Sequence, residues 1–185
     1  MSIKEPDAPF ALYQLWYPSN LLSLGRLMSL IPALIYLRRP DGHWQAGTIV
    51  GTAMLTDAID GRIARWRGET TRIGEIIDAL ADKTMLNVLA VALTQTRGFP
   101  RWMMRLILLR DAAILLGALL IYLRRGSFPK ARSAGRATTA TMTVTMLLYI
   151  VDGPRSGQPA LYVALLPFGA SIVDYIPYFV GHLSV

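Results

Sequence analysis

Four aspartates, Asp57, Asp60, Asp78 and Asp82, stand in the stretch TDAIDGRIARWRGETTRIGEIIDALADK, residues 56–83, with apolar sequence on both sides. A carboxylate at hydrocarbon depth costs ~2.5–3.5 kcal/mol on insertion scales, so four together call for a bound cation or a reaction. Asp57 and Asp60 are three residues apart, and Asp78 and Asp82 are four apart. On helices each pair shares one face. If the two helices run antiparallel, the faces meet and form a pocket of four carboxylates. The chain has no cysteine. An all-oxygen donor set suits Mg²⁺, Mn²⁺ or Ca²⁺ rather than zinc. Two such ions would neutralise the four carboxylates and still attract a diphosphate. Gly61 and Ala64 leave the backbone open to a ligand, and Arg65 supplies a fork for phosphate oxygens. Pairing with Arg62, Arg65 and Arg72 at a membrane surface would account for one aspartate, not for four at this spacing.

The elements that must position these residues read as membrane helices. Hydrophobic residues make up 53% of the chain and charged residues 17%; the charged share is well below the ~25% of soluble domains. A spanning helix needs ~20 mostly apolar residues. Six candidates occur, near residues 20–38, 44–64, 74–96, 101–124, 136–152 and 159–180. The expected fold is therefore an all-α integral membrane protein, a six-transmembrane-helix bundle forming one domain over 1–185. Residues 1–19 are read as a short N-terminal interfacial helix, since Phe10 to Tyr17 mixes Leu, Trp and Tyr with Gln14. Gly47 and Gly51 suit close helix contact. Threonines of the fifth span can bond back to their own helix. Pro167 and Pro177 are expected to kink the sixth.

Basic residues are twice as frequent in the segments placed inside when the N-terminus is cytoplasmic, which favours N-in and C-in. That orientation puts the aspartates at the cytoplasmic face. The net charge of +7 comes from 19 Lys+Arg against 12 Asp+Glu. Spans separate the basic residues, so anionic membrane lipid and a phosphate-bearing substrate are the expected partners, and no nucleic acid. No basic-then-apolar signal-peptide layout opens the chain. His43 and His182 lie at span ends and are read as facing water.

The run Asp57-x2-Asp60-Gly61-x2-Ala64-Arg65-x8-Gly74-x3-Asp78-x3-Asp82 resembles the full signature of the CDP-alcohol phosphotransferase family. Upstream, Pro18-Ser19-Asn20-Leu21-Leu22-Ser23-Leu24-Gly25-Arg26 resembles that family's Pro-Asn-x-Leu-Thr-x-x-Arg stretch, with Ser19 inserted and Ser for Thr. Downstream, Arg110-Asp111 and Gly135-Arg136-x2-Thr139 resemble elements of its glycerophospholipid-making bacterial members, with Arg for Lys at 136. Ala79 stands where a proline is frequent.

The resemblance implies transfer of a phosphatidyl group from CDP-diacylglycerol to an alcohol, with release of CMP. It implies two Mg²⁺ ions, with Mn²⁺ as a substitute. Asp57, Asp60 and Asp78 would hold one ion; Asp57, Asp78 and Asp82 would hold the other. Asp82 would also be the general base. Asn20, Ser23, Asp57, Gly61, Arg65 and Thr71 would bind the CDP-diacylglycerol nucleotide. Arg110, Lys130 and Arg136 offer positive charge for a phosphorylated alcohol or phospholipid acceptor. For Arg110 an internal pair with Asp111 or another aspartate is the competing reading. Glycerol 3-phosphate, giving phosphatidylglycerophosphate, is the first expectation. Phosphatidylglycerol, giving cardiolipin, is the second. A homodimer in a bacterial-type inner membrane is implied. Two other classes compete: an intramembrane prenyltransferase and a non-catalytic cation-binding membrane protein. Arg26 could meet an aspartate or a phosphate. Asp174 has no clear partner in the sequence and is read as interfacial or as pairing in an oligomer.

Overall fold

The computed structural model describes the backbone of residues 18–67, 72–125 and 133–183, and the side chains of residues 24–56, 80–123, 135 and 137–175. Those residues form six helices, α1 (Pro18–Leu37), α2 (His43–Arg67), α3 (Arg72–Thr96), α4 (Arg101–Arg125), α5 (Ser133–Asp152) and α6 (Pro154–Leu183). Strands are absent among the described residues. α1 opens two residues before the expected span, on Pro18. Proline suits a first helical position, because its missing amide would have no partner there. Residues 1–17, on which most of the interfacial-helix expectation falls, lie outside the described residues.

α5 is the centre of the bundle and packs against α2, α3 and α6. Met142, Met146, Tyr149 and Ile150 are buried on it, against Leu89, Ala90 and Leu93 of α3 and Leu161, Ala164 and Phe168 of α6. α1 packs on both α2 and α3. Gly47 and Gly51 bring α2 onto α5, because a Cβ at Gly47 would come within 2.9 Å of Val151 and one at Gly51 within 3.7 Å of Leu147. Within α5, Thr145 donates to the Thr141 carbonyl at 2.8 Å and Thr141 to that of Ala137 at 3.0 Å. Such back-bonding satisfies a hydroxyl without a partner helix. Thr138 departs from this pattern. Its hydroxyl donates across to the Pro167 carbonyl at 2.8 Å, tying α5 to α6. α6 runs unbroken through Pro167 and Pro177.

The end of the bundle remote from the aspartates is closed by a tight corner. Gly153, at φ 64°, is the single residue between α5 and α6, a conformation glycine adopts without Cβ strain. Arg97 follows α3 and donates to the α5 carbonyls of Tyr149 at 3.3 Å and Val151 at 3.1 Å. The Tyr149 carbonyl also accepts from the Gly153 amide at 3.0 Å, and the carbonyls of a last helical turn suit a cationic donor. Phe99 meets the Tyr149 ring edge-on at 5.0 Å.

Leu109, Leu116 and Leu123 on α4, Leu166 and Val173 on α6, and Met28 and Ile31 on α1 are all exposed. An apolar exterior of this extent suits lipid rather than water. By length and composition, Arg101–Leu123 and Pro154–Tyr175 are the two described segments able to cross a membrane. Leu24–Leu37 and Ala137–Asp152 are shorter apolar stretches.

Candidate functional site

The four signature aspartates fall on two helices. Asp57 and Asp60 are on α2, and Asp78 and Asp82 on α3. Asp57 lies ten residues before the end of α2, and Asp82 ten residues after the start of α3. At 1.5 Å per residue both sit ~15 Å from the α2–α3 connection. Asp60 and Asp78 lie nearer to it by about one turn. Of the four side chains, that of Asp82 is described; those of Asp57, Asp60 and Asp78 lie outside the described residues. The same holds for the side chains of Asn20 and Ser23 on α1, Gly61 and Arg65 on α2, and Arg136 on α5. Thr71 and Lys130 lie outside the described residues altogether.

Asp82 forms an ion pair with Arg26 of α1. The Arg26 side chain is 4% exposed and that of Asp82 34%. Of the two partners the sequence left open for Arg26, an aspartate is the one found. Asp82 thus meets a cationic group supplied by α1.

A second polar cluster joins α3 and α4. Lys83 donates to Asp111 Oδ1 at 3.1 Å, and Arg110 donates to the same oxygen at 2.9 Å. Asp111 is 1% exposed. The Arg110 side chain is 9% exposed, and its Cζ lies 5.6 Å from the centre of the Phe168 ring on α6. Arg110 Nε is buried and has no hydrogen-bond partner. A Cβ at Gly135 would meet Tyr175 Oη at 3.1 Å and Arg110 Nη2 at 3.8 Å, so α5 and α6 approach the guanidinium there. Of the two sequence readings of Arg110, the internal pair with Asp111 is present, and its Nε is left unengaged.

Sequence reasoning missed Lys83. Its signal was available, as a lysine directly after the last aspartate of the signature and before the apolar run from Met85. Phe168 and Tyr175 were also missed, and nothing in their spacing could have marked them. Asp174, for which the sequence offered no clear partner, makes an interaction within the chain. His43, at the start of α2, is half-buried; its Nδ1 is enclosed without a partner, and its ring lies 5.9 Å from that of Trp44. His182 lies outside the described side chains.

Comparison with known proteins gives one consistent answer. A family model described as CDP-alcohol phosphatidyltransferase matches residues 16–173. The chain is 32% identical over 170 residues to a "Probable phosphatidylglycerophosphate synthase" of Mycobacterium tuberculosis, covering 85% of this chain and 79% of that one. It is 30% identical over 130 residues to an Aquifex aeolicus "CDP-diacylglycerol--glycerol-3-phosphate 3-phosphatidyltransferase", covering 69% of this chain and 72% of that one. It is 34% identical over 122 residues to a human "Cardiolipin synthase (CMP-forming)", covering 65% of this chain and 40% of that one. The matched family leaves no support for the prenyltransferase and non-catalytic alternatives.

Proposed function

The chain belongs to the CDP-alcohol phosphatidyltransferase family and is an enzyme of that class, and we propose that it transfers the phosphatidyl group of CDP-diacylglycerol to glycerol 3-phosphate, giving phosphatidylglycerophosphate. The observation that carries the reading is the complete aspartate signature set at matching depths on α2 and α3. The acceptor is supported by two relatives whose names specify that product or that acceptor and by the buried cation Arg110.

The six helices are read as six spans, with both termini and the active site on the cytoplasmic side. The apolar exteriors of α1, α4 and α6 support this placement. The enzyme is then a multi-pass inner-membrane protein, and the outward leucines of α4 offer a surface for lipid or for a second copy in a homodimer.

The residues present fit a pair of divalent cations. The donors are carboxylate oxygens in a chain without cysteine, and the described member of the set, Asp82, already faces a positive group. Asp57, Asp60 and Asp78 would hold one Mg²⁺, and Asp57, Asp78 and Asp82 the other. Bound there, the ions supply charge neutralisation of the donor's diphosphate and of the leaving CMP.

The chain's own groups do the rest. Arg65 binds diphosphate oxygens, and Asn20, Ser23, Gly61 and Thr71 form the nucleotide site. Asp82 takes the proton from the acceptor hydroxyl as its oxygen attacks the phosphatidyl phosphorus. The bond from that phosphorus to the CMP oxygen breaks, and CMP leaves. Arg110, with Lys130 and Arg136, holds the acceptor's phosphate.

A second reading, with phosphatidylglycerol as acceptor and cardiolipin as product, draws on the relatives named cardiolipin synthase and on Asp rather than Glu after Arg110. The test is CMP release from CDP-diacylglycerol by purified protein, with and without Mg²⁺, over a panel of alcohols. Product with phosphatidylglycerol and none with glycerol 3-phosphate would replace the first acceptor by the second.

A further inference from the structure

Lys83 has no part in the reaction as described so far, yet it sits beside Asp82 and binds the same oxygen as Arg110. We propose that Lys83 is a specificity-determining residue that shares the acceptor's phosphate with Arg110, and that Asp111 is a positioning residue holding both cations for it. The inference rests on the reading that the acceptor bears a phosphate.

The charges within the cluster do not cancel. Two cations meet one carboxylate, with side-chain exposures of 20% for Lys83, 9% for Arg110 and 2% for Asp111. A buried excess of charge is costly unless a counter-ion joins it. The unused donors show where that ion would bind. Nη1 of Arg110 is spent on Asp111. The opposite edge of the guanidinium, Nε with Nη2, is the fork that takes two oxygens of one phosphate. Nε is buried without a partner. Nη2 lies toward Gly135, 3.8 Å from where a Cβ there would stand, with the Tyr175 hydroxyl beside it. Lys83 has three donors, and one of them is used on Asp111.

Sharing a single Oδ1 brings the two cationic groups within reach of the same phosphate. Without Asp111 they would repel, and the long Lys83 stem would be free to swing away. On α3, Asp82 turns to Arg26 of α1 and Lys83 to Asp111 of α4, so a phosphate held by Lys83 lies on the helix face adjoining that of the residue that takes the acceptor's proton. The cluster also clamps α3 to α4, and a purely mechanical clamp predicts different kinetics.

The experiment compares full-length wild type with Lys83→Met, Lys83→Arg, Asp111→Asn, Asp111→Glu and Arg110→Met. CMP release is measured while glycerol 3-phosphate is varied, then phosphatidylglycerol in mixed micelles, then CDP-diacylglycerol. The expected result is a rise in acceptor KM of about ten- to hundredfold for Lys83→Met and Asp111→Asn, the size of one lost charged hydrogen bond. The KM for CDP-diacylglycerol should stay within about twofold, a change too small to represent a lost contact. Lys83→Arg and Asp111→Glu should recover most of the loss. Whichever acceptor the wild type uses shows whether the phosphate is that of a soluble ester or of a lipid. A lower melting temperature with unchanged acceptor KM makes the cluster a mechanical clamp and overturns the inference. A rise in both KM values overturns it too. If Arg110→Met alone raises acceptor KM, the phosphate-acceptor reading stands and the inference falls. Wild type active with neither acceptor removes both. Should Asp111→Asn fail to fold, the partly exposed Lys83→Met decides the outcome.

Discussion

The guanidinium of Arg26, buried on α1, is bound to the carboxylate of Asp82 on α3. The pair joins the first helix to the last aspartate of the signature. It gives that carboxylate a cation from the protein itself and fixes its orientation toward the interior. Arg26→Met should therefore lower stability by about 1.5–3 kcal/mol, the worth of a hydrogen bond to a charged group. Arg26→Lys, which keeps the charge but not the fork, should lose less. Thermal unfolding in detergent measures both, and an unchanged midpoint for Arg26→Met would show that the pair contributes nothing.

Asp82→Asn preserves shape and removes both the base and one ligand oxygen's charge. The kcat/KM for CMP release should fall about 100-fold or more, equivalent to at least ~2.7 kcal/mol of transition-state stabilisation. The assay is run on protein whose helicity matches wild type. Activity within about threefold of wild type would remove Asp82 from the proton transfer, since a general base contributes ~10²–10⁴-fold.

Chelation should abolish CMP release, and Mg²⁺ or Mn²⁺ should restore it. Zn²⁺ should restore little, because a carboxylate set without Cys or His suits hard cations. Full activity in EDTA after dialysis is the contrary result.

Gly157→Ala tests the corner remote from the site. A Cβ there would come within 2.4 Å of the fully buried Tyr149 ring, and overpacking of this kind costs roughly 1–3 kcal/mol. The expected result is a lower melting temperature with acceptor and donor KM unchanged at low temperature. A melting temperature equal to wild type would mean that the ring moves aside freely.

Arg97→Met removes two donors from the end of α5. Loss of about 1–3 kcal/mol is expected, since two neutral carbonyls lose a charged donor. The kinetic constants should not change. Guanidinium or thermal unfolding reports the first, and the CMP assay the second.

The sequence by itself determined the helices and the chemistry. Long apolar stretches broken by Gly, Pro and charge can form little but helices in lipid, so the first five of the six candidate spans fall within a few residues of α1 to α5. α6 starts five residues early because Gly153 alone makes the turn and Pro154 can open a helix. The aspartate spacing pointed to a divalent-cation site before any contact was known, because side-chain periodicity is a property of the helix itself. Tertiary structure alone decided the partners. Arg26 lies 56 residues from Asp82, and Lys83 lies 28 from Asp111. No local pattern selects among the chain's 19 Lys and Arg residues, because an ion pair depends on which helices touch. Packing of α1 on α3, of α3 on α4 and of α4 on α6 makes that choice. It also brought Arg97 onto the end of α5, where the carbonyls of the last turn suit a cationic donor.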